Sequence, residues 1–272
     1  MKIIYMNSKK EKIEFEKNTR LKKANLHNYS WGYEATDQEF GKSVDKFTKN
    51  VSEYELTIEV SGERDSRKKK IESIYDIMQY DVVRNECGKI CFGEWYLNCF
   101  AMSSKTYPNE KNSRTLQEIK LVAPYPFWIR EKKITYERKQ ASDTGYLDYP
   151  YDYPYDYSPN DMAVYLENTE VMPADFKLVI QGPCENPQVT IGQNKCQIMT
   201  TLSSYEYIVL NSMDRTAYKV SSTGTVTNVF ESLNRNYENF DRIPQGKHII
   251  SINGTFRMEI TMYMKRSEPR WT

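Results

Sequence analysis

Chemistry at a protein site needs nucleophiles, general acids and bases, or metal ligands within reach of one another, and this chain of 272 residues offers few. Its two histidines, His27 and His248, leave little room for a Ser-His or Cys-His nucleophilic pair or a histidine-bound zinc. His248 stands in GKHII, where an edge residue at a strand start is a better reading than a catalytic one. Cys87 and Cys91 begin a metal half-site, but no second Cys/His pair follows at matching spacing, so they read as hairpin core residues. Five cysteines, an odd count without a paired CxxC, read as free and mostly buried thiols. No GxSxG, HExxH, glycine-rich phosphate loop or EF-hand pattern occurs. The expectation is a chain without cofactor, metal or enzymatic activity.

The one carboxylate pair that invites a glycosidase reading lies in residues 148–157, DYPYDYPYDY. In an extended segment Asp152 and Asp156 are roughly 13 Å apart, four rises of about 3.3 Å. Glycosidase carboxylates flank a bond at about 5 to 9.5 Å, so this pair is no active site. The same spacing has another consequence: Tyr149, Tyr151, Tyr153, Tyr155 and Tyr157 share one face of an extended ribbon, opposite the Pro/Asp set. Pro150 and Pro154 remove two donors from one edge, so the ribbon pairs fully along the other edge alone. A tyrosine-rich face is costly to leave in water, which points to docking against a domain or a neighbouring subunit.

The elements around these residues are mostly strands. Short ones are expected at residues 2–6 and 12–15, and a half-buried one at 54–60, where Tyr54, Leu56, Ile58 and Val60 alternate with Glu55, Thr57 and Glu59. Between them Trp31, Gly32 and Tyr33 mark a bend or bulge that presents aromatic side chains. A helix is predicted over about 65–80 from the spacing of Ile71, Ile74, Tyr75 and Met78, with Asp65 or Ser66 as cap. The basic run at 67–70 opens that helix against its dipole and reads as a solvated face. A hairpin follows at 87–104, turning at its glycines, then a strand at 115–122 and the stretch APYPFWI. Beyond the ribbon come strands at 176–181, 188–191, 205–210 and 216–220. Residues 249–252 are predicted to pair with 255–262 around Asn253-Gly254. Many short strands without a helix predict an antiparallel sandwich.

With 39% apolar residues the chain can bury a core, most simply in two domains with the ribbon near their seam. A net charge of +1 argues against bulk electrostatic binding to nucleic acid or an anionic membrane. The first residues carry too short an apolar run for a signal peptide, and no stretch is long enough to span a bilayer, so synthesis and folding in a cytoplasm are expected. The glycosylation patterns at Asn28, Asn50 and Asn253 carry no weight without secretion.

The order of these features resembles the distal tail proteins (Dit) of siphophages infecting Gram-positive bacteria and of related tail-like particles. The resemblance rests on WGY (31–33), a strand then a helix (54–80), the hairpin, APYPFW (123–128) and the tyrosine ribbon. Farther along it rests on GPCENPQVTIG (182–192), NVFESLNR (228–235) and IPQGKH (243–248), which extends it over nearly the whole chain. One departure is His248, where the family more often carries asparagine. The resemblance implies a mainly β chain with one α-helix: an N-terminal β-rich belt domain at 1–135 and a C-terminal galectin-like antiparallel β-sandwich at 136–272. It implies a homohexameric ring at the distal end of a virion tail, joining the tail tube protein to the tail-tip or tail-associated lysin protein and anchoring receptor-binding or peripheral baseplate proteins. On that basis the five ribbon tyrosines and Trp31 are expected at a domain or subunit interface. The alternative is a carbohydrate-binding module contacting the host cell wall, with Trp95 and Trp271 as exposed aromatics.

Overall fold

A computed structural model describes residues 2–16, 18–109, 113–137 and 164–271. The tyrosine ribbon with Tyr149, Tyr151, Tyr153, Tyr155 and Tyr157 lies outside the described residues. The chain is mainly β, with a single α-helix among the described residues, and divides into two compact units, Met1–Arg130 with Lys265–Thr272, and Glu131–Met264. Set beside the expected boundary at 135/136, the observed division falls between Arg130 and Glu131, and the last eight residues return to the first unit.

The first unit contains β1 (Ile3–Met6), β2 (Lys12–Glu14), β3 (Thr19–Ala24), β4 (Gly32–Gln38), β5 (Gly41–Thr48), β6 (Ser52–Ser61), α1 (Arg64–Arg84), β7 (Gly88–Phe92), β8 (Trp95–Asn109) and β9 (Arg114–Ala123), and it ends inside β10 (Trp128–Glu137). Alternation in β6 and β9 buries one face of each, with Tyr54, Leu56, Ile58 and Val60 facing Ile119 and Leu121 in one core. Along the fifteen-residue β8, residues up to Cys99 pair with β7, those from Phe100 onward with β9, and Tyr96 also meets Ile129 of β10, the strand that follows APYPF. A bulge between Ala101 and Ser103 accompanies the switch and turns Met102 out to solvent. Trp95, expected on the surface, is only 3% exposed and joins the core. Periodicity could not show that it opens a strand with a covered face.

The helix begins earlier than its sequence predicts. Its N-cap is Glu63, without a side-chain cap bond, in place of Asp65 or Ser66. The basic run at 67–70 also divides: Arg67 is buried and donates from its guanidinium to the Gly62 carbonyl at 3.1 Å, while Lys68 to Lys70 stay exposed. Asn85, in the left-handed region at φ 55°, ends the helix by donating back to the carbonyls of Asp81 and Val82. The helix is tied to β1 through Asp81, which is wholly buried. Its Oδ2 accepts from the Tyr5 hydroxyl at 2.6 Å, and its Oδ1 accepts from the Ser8 amide at 2.8 Å and hydroxyl at 2.9 Å. Gly88 passes so close that a Cβ there would overlap both Asp81 Oδ2 and the Tyr5 hydroxyl.

The second unit carries β11 (Val164–Asn168), β12 (Asp175–Gln181), β13 (Cys184–Glu185), β14 (Gln188–Ile191), β15 (Asn194–Gln197), β16 (Thr201–Leu202), β17 (Tyr207–Asn211), β18 (Thr216–Val220), β19 (Val226–Asn228), β20 (Gly246–Ile252) and most of β21 (Arg257–Arg266). Within it β19-β18-β17-β12-β21 and β11-β20-β14-β15 are the two antiparallel layers of a sandwich. Phe176, Leu178, Ile260 and Met262 from the first layer meet Leu166, Val189 and Ile250 from the second. The predicted pairing of 249–252 with 255–262 does not occur. β20 pairs with β11 and β14, and β21 with β12, so Asn253-Gly254 is a corner between layers and not a hairpin turn. Apolar residues on both strands face one core from opposite sides, and Asn253 pins the corner by accepting from the Gln188 amide at 2.7 Å and donating to the Asn186 carbonyl at 3.0 Å. His248 accordingly lies in a central strand, not at an edge, with Nε2 3.0 Å from the Pro244 carbonyl oxygen.

Removing the Asp81 carboxylate strands the Tyr5 hydroxyl in an apolar core. Asp81→Ala should lower the unfolding free energy of the first unit by about 3 kcal/mol, and Tyr5→Phe by about 1 kcal/mol. Trp31, Trp95, Trp128 and Trp271 are all in the first unit, so urea titration followed by tryptophan fluorescence reads that unit alone. A loss under about 0.5 kcal/mol for Asp81→Ala, typical of surface substitutions, would show that the tie carries no weight.

Candidate assembly surface

Among the described residues the five thiols and His27 are packed against other side chains or held in raised-pKa surroundings. Among the described residues no cluster of three or more His, Cys, Asp or Glu side chains is placed to hold a metal ion. Burial pushes the Cys184 thiol up to about 11 and the Cys196 thiol up to about 12, and raises Cys87, Cys91 and Cys99 as well, so none is a ready thiolate at neutral pH. His27 is sandwiched by aromatic rings, stacked on Trp271 at 3.6 Å between centroids and edge-on to Phe92 at 5.2 Å.

What the first unit does assemble is an aromatic box around a lysine. Lys49 follows β5, Trp31 precedes β4, and Phe127 comes from the APYPFW stretch far along the chain. The Lys49 ammonium lies 4.9 Å from the Trp31 ring centre, 5.1 Å from that of Phe127 and 5.4 Å from that of Tyr29. Its Nζ is buried without a hydrogen-bond acceptor, so it meets the faces of these rings directly. Burial holds the Lys49 pKa below the ordinary lysine value, with Glu268 opposing the shift. Tyr125 extends the box, 4.9 Å from Phe127, and accepts a hydrogen bond from Lys265 at 3.1 Å. Trp31 was legible as an interface candidate; Lys49 and Lys265 were not, because lysine in a polar stretch reads as solvated.

The box sits at the root of the β4–β5 arm, a two-stranded sheet that pairs with no other strand among the described residues. Tyr33 stands opposite Phe47 and Ala35 opposite Val44, which places all four on one face, closed at its far end by the Asp37–Lys42 ion pair at 3.0 Å. Glu34, Lys46, Thr36 and Ser43 occupy the other face. The apolar face is uncovered: Tyr33 and Phe47 are each 65% exposed, and Phe40 at the tip is 89% exposed. Across the same unit, α1 and the bulged part of β8 enclose an apolar groove of about 480 Å³, lined by Ile71, Tyr75, Met78 and Val82 from the helix and by Met102 and Ile119 from the sheet. Gln117 lines it too. Its side chain is buried, its amide nitrogen donates to the Ser104 hydroxyl at 2.8 Å, and its amide oxygen has no donor.

Opening the box should free the arm. Phe127→Ala is expected to speed amide hydrogen exchange across residues 32–48 about tenfold, the equivalent of about 1.4 kcal/mol of lost local stability. Unchanged exchange in the arm would mean that its root is fixed by something else.

No protein-family model matches the chain, and no curated protein matches it significantly. Solved structures do. The Dit protein (gp 19.1) of phage SPP1, described as a paradigm of hub adsorption apparatus in Gram-positive infecting phages, aligns at 8% identity with a TM-score of 0.65 over 97% of this chain and 99% of its own. Chains of the phage P2 baseplate in its activated conformation align at 11% identity over 98% of this chain and 99% of theirs. The TM-scores are 0.62 with calcium and 0.59 with strontium. At such identities the likeness is one of fold, which this chain shares along nearly its whole length with that Dit protein and those baseplate chains.

Proposed function

We propose that this chain is a structural hub at the distal end of a phage tail: a homohexameric ring that joins the tail tube protein to the tail-tip or tail-associated lysin protein and offers its second unit as an anchor for receptor-binding proteins. One observation carries the reading: the fold corresponds to that of hub and baseplate proteins along 97% or more of both chains. The raised thiols and the ring-sandwiched His27 support a role without catalysis. The uncovered arm face supports self-assembly, since contiguous exposed apolar surface marks a contact site. Trp31, at the root of that arm, is proposed as an interface residue, and the five ribbon tyrosines as a docking strip.

The carbohydrate reading has lost its aromatics. Trp95 is buried, and Trp271, though 79% exposed, belongs to the first unit and stacks on His27. Neither forms a sugar platform on the sandwich.

The test is the assembly state of the purified full chain. Light scattering should give about 193 kDa, six times the 32.1 kDa chain, and negative-stain images should show six-fold rings. A species of single-chain mass at every concentration up to the millimolar range would overturn the hub reading.

A further inference from the structure

We propose that residues 265–271 form a clasp on the root of the β4–β5 arm, so that seating the clasp holds the arm still and lifting it sets the arm free. The device works within one copy and does not depend on ring formation.

Three separate stretches build the root: residues 27–31 ahead of β4, Lys49 behind β5, and Tyr125 with Phe127 from far along the chain. The clasp reaches each of them. Trp271 stacks on His27, the ring centroids 3.6 Å apart and the planes 11° from parallel. The Glu268 carboxylate lies close enough to Lys49 to favour its charged form, without a direct ion pair between them. Lys265 donates to the Tyr125 hydroxyl at 3.1 Å. Contact with one stretch would be ordinary packing; a partner in each of the three ties both ends of the arm to the stretch that braces them.

The way the segment is held makes it a part of the unit that can let go. Beyond Arg266 it belongs to no strand or helix, so side-chain contacts take the place of a ladder. Burial also falls off along it: Lys265 and Pro269 are buried, Glu268 is half-buried, and Trp271 is 79% exposed. Segments with few buried contacts open locally at much less than the free energy of global unfolding. Trp271 can therefore lift from His27 without leaving a hole in the core, while Lys265 stays fixed at the end of β21. The clasp is hinged at Lys265 and free at Trp271.

Lifting it withdraws the Glu268 charge from Lys49 and the Trp271 ring from His27. A cation buried without an acceptor is costly, and Lys49 Nζ has none. With the acidic neighbour gone, Lys49 leaves the box more readily, and Tyr29, Trp31 and Phe127 lose the ammonium that they share. By that route the state of the clasp passes to the arm.

The experiment uses the full chain and two readouts. In amide hydrogen exchange, Trp271→Ala/Glu268→Gln should speed residues 32–48 about fivefold and leave 52–61 and 114–123, the core strands β6 and β9, unchanged. Adding Phe127→Ala should speed the arm by less than it does alone, because both changes open the same root. The second readout is the ring-proton NMR signal of His27, shifted by the stacked Trp271 ring, with His248 as internal reference. Trp271→Ala should move it. Phe127→Ala, on the other side of the root, should move it part of the same way, since coupling between two sites is reciprocal. Unchanged exchange in the arm of the Trp271/Glu268 variant overturns the clasp. Acceleration that spreads equally to 52–61 and 114–123 also overturns it, for the segment then supports the whole unit and not the arm. So does a His27 signal that Phe127→Ala leaves in place.

Discussion

The buried carboxylate of Asp81 is the constraint on which the first unit depends. α1 is an awkward helix for a core: of its four buried residues two are apolar, Ile74 and Met78, and two are Arg67 and Asp81. Apolar burial at about 25 cal/mol per Å² gives a helix affinity for a sheet but little direction, whereas hydrogen bonds to a charged group in a low-dielectric interior fix rotation and register. Three of them converge on Asp81 from Tyr5 and Ser8, and the missing side chain at Gly88 makes space for the meeting. Burial, with the Asp81 bond second, raises the Tyr5 phenol well above its ordinary range, so it stays a donor at any pH the protein meets. The helix that walls the groove is therefore positioned from its C-terminal end, at the far side from the basic run.

That division explains what was legible in the sequence. Where one face of a strand is buried, alternation gives it away, as with Tyr54, Leu56, Ile58 and Val60 in β6, and the spacing of Ile71, Ile74 and Met78 gave the helix. Periodicity reports which residues share a face, not which partner covers it. It therefore paired β20 with β21 across Asn253-Gly254, although both strands are apolar toward the same core from opposite layers. It likewise left Trp95 on the surface. Polar residues that work by being buried were the least visible. Asp81 sits in a helical stretch rich in charge, and Lys49 beside an arm of alternating acids and lysines, so each looks solvated until long-range neighbours are brought together. Trp31 was legible as an interface candidate, whereas the lysine held against its ring was not.

The lysine in the box bears on how the arm could act. A flexible hairpin that ordered only on docking would lose much of its contact energy to conformational entropy, about 1 to 2 kcal/mol for each residue fixed. Holding the root in three aromatic faces removes part of that cost beforehand, which is how preorganisation strengthens a contact without adding to it. Arginine in place of Lys49 would stack as well but project a wider fork; the compact ammonium lies within 5.4 Å of all three ring centres.

The β8 bulge lies at the edge of the α1 groove. At the extra residue Met102 turns outward, and farther along the adjoining strand Gln117 keeps a hydrogen-bonded nitrogen and an idle oxygen. An oxygen buried without a donor lowers the stability of the fold that holds it. A bulge and a buried acceptor are both defects in a copy standing alone. Both lie beside the α1 groove, which Met102 and Gln117 line, so local irregularity and exposed apolar surface coincide there.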